Sequence, residues 1–441
     1  FIPILGLFSC GSSAVKKNQE FVQNVILQDT LPFSENKKTI KEENREIRIT
    51  LQDTLVFGRS IPVKSSKHIF TGANQCQSYM DLLSNKKVGI VANQTAMVND
   101  TLENKQNVRV VDFHLVDFIT DFDKNVTKVF APEHGFRGKA DAGEVVKDGI
   151  DLKTGIPIIS LYGKNKKPTA AQLSDVEIVV FDIQDVGARF YTYISSLHYV
   201  MEACAENNIP VIVLDRPNPN GHYTDGPILE PAHTSFVGMH PIPVVHGMTI
   251  GEYAQMINGQ GWLANKIQCN LRVIKMKNYT HKTAYSLPIK PSPNLPNDVA
   301  ITLYPSLCFF EGTSISAGRG TKKQFQIFGS PTLPQETYTY GFTPQANEGA
   351  KYPKFKGEYC HGLDLSNTKT LNKLNLHWCI EAYTASGKKE EFFNAFFTKL
   401  AGTKKLQEQI IQGRSEKEIR ATWQQGLDAY NTMRQQYLLY K

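Results

Sequence analysis

Apolar runs that stop abruptly at a polar or charged residue recur along the first half of the chain. Val88-Gly-Ile-Val-Ala-Asn93 ends in an amide and Lys128-Val-Phe-Ala-Pro-Glu133-His134 in an acid and an imidazole. Pro157-Ile-Ile-Ser-Leu-Tyr162 ends in a phenol, Ile178-Val-Val-Phe-Asp182 in an acid, and Val211-Ile-Val-Leu-Asp215-Arg216 in a charged pair. Short runs rich in β-branched residues suit strands buried on both faces of a parallel sheet. Ile194, Leu197, Val200, Met201 and Cys204 have helical spacing, which predicts a helix over 193–207. Alternating strands and helices predict an α/β fold with a doubly wound parallel sheet. Right-handed crossovers then bring all five strand ends to one rim, where ligands of such sheets bind.

Further along, Thr249-Ile-Gly-Glu252 reads as a capping box opening a helix to about Asn258, and 271–277 alternates like a strand. Residues 221–249 are rich in Pro, Gly and His and predict a long loop over the rim, while 291–297 predicts a rigid extended loop. A short helix is expected over 76–83, a strand over 359–365, and helices over 390–400 and 416–439, the last with Ser415 as N-cap. A chain of 441 residues is long for one core. The expected division is a leader fragment (1–10), a polar tether (11–70), a catalytic domain (71–324) and a smaller α/β domain (325–441).

The net charge of +7 comes from 49 basic and 42 acidic residues, with no basic run interleaved with aromatics, so a nucleic-acid partner is not expected. No apolar stretch is long enough to span a bilayer. Leu7-Phe8-Ser9-Cys10 resembles a bacterial lipoprotein processing box. It predicts lipidation at Cys10, membrane contact through that anchor only, and a periplasmic or cell-envelope location. GxSxG, HExxH, P-loop and CxxC motifs are absent. Gly259-Gln-Gly261-Trp-Leu-Ala264 has dinucleotide-site spacing, but it follows a helix instead of a strand. His222, His233, His240 and His246 match no common ligand spacing, so neither metal nor cofactor is expected.

Glu133 is the strongest catalytic candidate: a carboxyl between an apolar strand and an aromatic suits a general acid, although a surface turn is the plain alternative. Glu144 is a second, weaker acid. Asp182 and Asp185 could act as base, nucleophile or orienting group, Asp185 also as a substrate contact; the plain alternative is a cap for the helix that follows, which Asp185 fits well. Arg137, Arg189, Arg216 and Arg319 flank the rim and would fork onto an anionic substrate, unless each pairs with a nearby acid. Tyr162, Tyr191, Tyr193 and Tyr304 offer flat amphipathic faces suited to sugar rings, or ordinary core aromatics.

Taken in order, 88–95, Pro132-Glu133-His134-Gly135-Phe136-Arg137-Gly138, 182–193, Asp215-Arg216-Pro-Asn218-Pro and 312–321 resemble the NamZ-type exo-β-N-acetylmuramidases from about Cys76 to the C-terminus. The resemblance implies a Rossmann-like first domain used without a nucleotide, and a smaller α/β domain closing a cleft over the rim. It implies release of N-acetylmuramic acid from the non-reducing ends of peptidoglycan fragments, with Glu133 as the acid. Lys322 departs from the family, which often has an acid there. A lactyl carboxylate on muramic acid would account for the arginines. Its acetamido group would permit substrate-assisted attack, with Asp182 or Glu144 orienting the amide. Asn93, His134, Asn218 and His246 complete the expected substrate-binding set. The rival readings are a non-catalytic cell-wall sugar-binding lipoprotein and a hydrolase of another bond, an esterase or amidase.

Overall fold

The computed structural model describes residues 59–60, 68–103, 108–137, 148–387 and 390–440. Cys10 and Glu144 lie outside these residues. The chain divides into two compact units. In the smaller, β1 (Arg59–Ser60), β3 (Met97–Glu103) and β4 (Val108–His114) form a sheet in the order β1-β4-β3.

The larger unit is built on a seven-stranded sheet. Its strands are β2 (Lys87–Ala92), β5 (Asn125–Ala131), β6 (Gly149–Ile150), β7 (Pro157–Ser160), β8 (Ile178–Asp182), β9 (Val211–Leu214) and β10 (Leu271–Ile274). The order is β10-β9-β8-β2-β5-β7-β6. Every pairing is parallel except the short edge strand β6. All five runs singled out above are therefore neighbours in one α/β sheet. Every residue of β8 and β9 is buried, as their unbroken apolar sequences require.

Short helix α1 (Leu115–Asp121) packs near β2 and β5, and α2 (Ala170–Leu173) precedes β8. Helix α3 (Tyr193–Glu206) connects β8 to β9, and α4 (Ile250–Gly259) connects β9 to β10. Leu197, Met201, Tyr253 and Ile257 join Val91, Phe181 and Val213 in the main core. Thr249 and Glu252 form the anticipated capping box. Residues 76–83 form two 3-10 turns, Cys76–Ser78 and Met80–Leu83, instead of one helix.

After the extended loop, α5 (Asp298–Leu307) contains Pro305 and continues into a 3-10 turn, Cys308–Gly312. A second sheet has the order β11-β13-β12, from β11 (Ile327–Ser330), β12 (Tyr340–Phe342) and β13 (Cys360–Asp364). Helices α6 (His377–Ala385), α7 (Ala395–Ala401), α8 (Lys405–Ile411) and α9 (Glu416–Arg434) complete the unit. Ser415 and Glu418 form a capping box at the start of α9. Among the described residues, no helix is long and apolar enough to cross a membrane.

Candidate active site

Parallel pairing carries the polar residues that follow β2, β5, β7, β8 and β9 to one rim. Ala92 is the register partner of Asp182, and Leu161 N donates to Ala131 O at 2.8 Å. Glu133 leaves β5 through a tight turn in which Gly135 N donates to Pro132 O at 3.0 Å. His134, third in that turn, has φ +71°, the sign a type II turn requires and one that L residues rarely adopt. The turn leaves Glu133 partly exposed and buries His134.

Thr192 immediately precedes α3, yet its side chain does not cap the helix. Its Oγ1 donates to Glu133 Oε2 at 2.7 Å. Behind the acid, Asn93 Nδ2 donates to Tyr193 OH at 2.8 Å, and that phenol lies 3.4 Å from both Glu133 O and Pro291 O. Tyr191 OH donates to Pro291 O at 2.8 Å, and the two tyrosine rings meet edge to face at 4.9 Å. Burial, and then its tyrosine neighbour, raise the Tyr191 pKa; burial, and then Glu133, raise that of Tyr193. Both phenols therefore stay protonated. Asn93 Oδ1 accepts from Thr95 N and Oγ1 at 2.9 and 2.6 Å, so its amide braces the turn after β2.

The other predicted acids are differently placed. Asp182 is fully buried, and Arg216 grips it through Nε at 2.5 Å and Nη2 at 2.7 Å. Burial raises the Asp182 pKa against the pull of Arg216. Both side chains are buried and bound to each other, which corrects their expected roles as second acid and substrate clamp. Asp185 accepts from Gly187 N at 2.7 Å, the turn-capping geometry, and its Oδ2 lies 3.4 Å from buried His246 Nε2. Gly187 has φ +80°, and a Cβ there would lie 2.3 Å from Asn218 Oδ1. Asn218 is itself buried: its amide donates to Met248 O at 2.9 Å, and its oxygen accepts from Asn220 N at 2.8 Å. Asp185, His246 and Asn218 thus hold the loops behind the rim together.

Arg189 is also corrected. It is fully buried and donates from Nη1 to Pro227 O and Ile242 O, at 2.8 and 2.6 Å, and from Nη2 to Leu400 O and Ala401 O, at 2.9 and 2.7 Å. Four carbonyls consume the fork that a substrate carboxylate would need. Burial lowers its pKa to about 9, which leaves it charged at neutral pH.

Two arginines stay within reach of solvent. Arg137 makes a bidentate bond from Nη2 to Asp151, at 2.9 and 3.0 Å, and lies over the Phe136 ring. Arg319 donates to Glu311 Oε1 and Gly349 O, both at 3.1 Å. Tyr162 is partly exposed and its ring centre lies 6.5 Å from that of Phe236; Tyr304 packs in the core against Phe190 and Tyr191. Of the loop histidines, His240 bonds Tyr253 OH and His198, and His222 bonds Leu371 O. Among the described residues, no group of three or more His, Cys, Asp or Glu side chains could hold a metal ion.

Thr192 was not anticipated from sequence, although a hydroxyl at a helix start on the rim was the available signal.

The chain matches two family models, the N-terminal part of exo-beta-N-acetylmuramidase NamZ over 88–299 and its C-terminal part over 302–440. It is 39% identical over 381 residues to the peptidoglycan beta-N-acetylmuramidase NamZ of Bacillus subtilis strain 168, covering 82% of this chain and 89% of that protein. A crystal structure of a DUF1343 family protein from Bacteroides fragilis NCTC 9343 superposes with a TM-score of 0.76 at 44% identity, covering 85% of this chain and 99% of that one. A second DUF1343 family protein of the same strain gives 0.71 at 29% identity, covering 86% and 100%.

Proposed function

This chain belongs to the NamZ family of exo-β-N-acetylmuramidases, and from that premise we propose that Glu133 is the proton donor of its glycosidase site. The protein is a glycosidase that releases N-acetylmuramic acid from peptidoglycan-derived muramyl saccharides. The observation that carries the assignment is exposure. Among the acids at the ends of β5, β8 and β9, Asp182, Asp185 and Asp215 are buried, and Glu133 alone is partly open.

A carboxyl there can protonate the glycosidic oxygen as the bond to the muramyl C1 breaks. The Thr192 hydroxyl holds one carboxyl oxygen, and the Asn93–Tyr193 pair stiffens the backbone beneath. With Asp182 sealed under Arg216, attack by the substrate's own acetamido oxygen on C1 fits these residues better than a scheme using Asp182 as nucleophile. Of the four arginines expected to hold the lactyl carboxylate, Arg137 and Arg319 are the two within reach of solvent, and the carboxylate would share them with their partners Asp151 and Glu311.

The test is Glu133→Gln incubated with a MurNAc–GlcNAc disaccharide, products being read by mass. A loss of about 100-fold or more with an unchanged melting temperature is expected. Release at the wild-type rate would end the assignment.

Lipid anchoring at the cell envelope is a separate proposal, motivated by the Leu7-Phe8-Ser9-Cys10 box. Labelled palmitate should enter the full-length protein in cells, and Cys10→Ala should abolish it; label retained by that variant would rule the proposal out.

A further inference from the structure

One stripe of α3 leads from the candidate acid to a cluster of aromatic rings. Thr192, Ser195 and Tyr199 are spaced i, i+3 and i+7, so they share a face of the helix. Thr192 bonds Glu133, and Ser195 Oγ donates to Phe236 O at 2.7 Å. The Tyr199 ring lies nearly parallel to that of Phe236, with centres 6.2 Å apart. The sheet reaches the same place by another route. Tyr162 follows β7, and β7 pairs with β5, the strand that delivers Glu133. Neighbouring strands lie about 4.8 Å apart, and the Tyr162 ring centre is 6.5 Å from that of Phe236.

Phe236 is held rigidly. It sits at the tip of a tight hairpin in which Ser235 N donates to Gly238 O at 2.9 Å and Gly238 N to Ser235 O at 3.0 Å. The base of this loop is fastened by Arg189, through its bonds to Pro227 O and Ile242 O. Phe236, Tyr162 and Tyr199 are all partly exposed, unlike the core aromatics around them. Lys166 Nζ lies over the Phe236 ring, 4.5 Å from its centre. That is about where the C–H face of a pyranose would stack, and a lysine on a four-carbon stem can swing aside to meet ring hydroxyls.

We propose that Phe236, Tyr162 and Tyr199 form an aromatic wall for the leaving sugar, the ring across the scissile bond from the muramyl residue, with Lys166 as its polar edge. The inference rests on Glu133 being the acid, because a proton donor stands beside the bond it breaks and the leaving sugar lies next to it. The wall therefore sets preference for the leaving group, and the chemical step is left to Glu133.

The experiment compares two substrates, a MurNAc–GlcNAc disaccharide and N-acetylmuramosyl fluoride, which has no leaving sugar. Phe236→Ala is expected to lower kcat/KM about tenfold on the disaccharide, the scale of one lost aromatic contact, and to leave the fluoride within about twofold. Phe236→Tyr, which keeps the ring, should restore the disaccharide rate. An equal loss on both substrates, or no loss on either, would overturn the wall. Should Phe236→Ala fail to fold, Tyr162→Leu and Lys166→Met are read on the same pair with the same criteria. Failure of the underlying assignment looks different, since Glu133→Gln would then release muramic acid from the disaccharide at the wild-type rate whatever the wall variants do.

Discussion

Thr192 Oγ1 donates a 2.7 Å hydrogen bond to Glu133 Oε2 from a helix-start position where a threonine ordinarily caps the helix. Its hydroxyl serves the carboxyl instead, fixing the rotamer of a side chain that is otherwise partly open. Thr192→Val should therefore lower kcat on the disaccharide about tenfold, the weight of one hydrogen bond, and leave KM nearly unchanged. Thr192→Ser should keep most of the rate. Steady-state kinetics of both variants decide it, and a valine variant with wild-type kcat would remove Thr192 from the site.

His114 makes stability depend on pH. Val116 N donates to its Nδ1 at 3.3 Å and its Nε2 lies 2.9 Å from Asn93 O, so the ring is built in as a neutral tautomer. Burial pulls its pKa down to about 4, opposed by the Asn93 carbonyl; Arg137 lowers it further, and Asp117 and Asp151 raise it. The unfolded value is about 6.5. Between the two, the unfolded chain binds more protons, so this contribution is complete above about pH 6.5 and is lost as pH falls toward 4. The loss is on the order of 2–3 kcal/mol. Melting temperatures of wild type and His114→Gln, taken from pH 7 to 4, should converge toward the acid end. Parallel curves would refute it.

The strands of the large sheet could be read from sequence because buried parallel strands are unbroken apolar runs, and each such run here ends at a polar rim residue. The β3–β4 pair was missed, since Met97–Glu103 mixes Asn, Asp, Thr and Glu among its apolar positions. Helix α5 was missed because it carries Pro305 inside. Glu133 was legible as a rim acid, but which arginines face solvent was not. Nothing local separates Arg189 from Arg137. The carbonyls that fix Arg189 come from backbone as far as 212 residues away, and backbone acceptors leave no mark on residue type.

Asp182 and Arg216 form an ion pair buried at the centre of the rim, closed by two hydrogen bonds. Removing one partner strands the other's charge. Asp182→Leu should therefore cost about 3–5 kcal/mol of stability, and Arg216→Met a similar amount. In Asp182→Leu/Arg216→Met no charge is left uncompensated, so the double variant should be more stable than either single one. Denaturant melts of the four proteins give the coupling directly; additive losses would show that the pair does not act as a unit.

Arg189 joins three segments that are distant in sequence: the turn before α3, the ends of the 227–242 loop, and the last turn of α7. The carbonyls of Leu400 and Ala401 belong to a helix C-terminus, whose unsatisfied acceptors and dipole favour a cation. Arg189→Met would keep much of the volume and leave four carbonyls without this donor. Such a change should destabilise the fold by about 3–5 kcal/mol. Arg189→Lys should recover only part, because an ammonium presents three donors and cannot reproduce the planar fork. The local signature is hydrogen exchange: amides of 227–242 should exchange faster in Arg189→Met at a temperature where the rest of the sheet stays protected. Uniform acceleration across the large unit would mean that Arg189 contributes to global stability without specifically holding that loop. Unchanged exchange and stability would mean that it holds nothing.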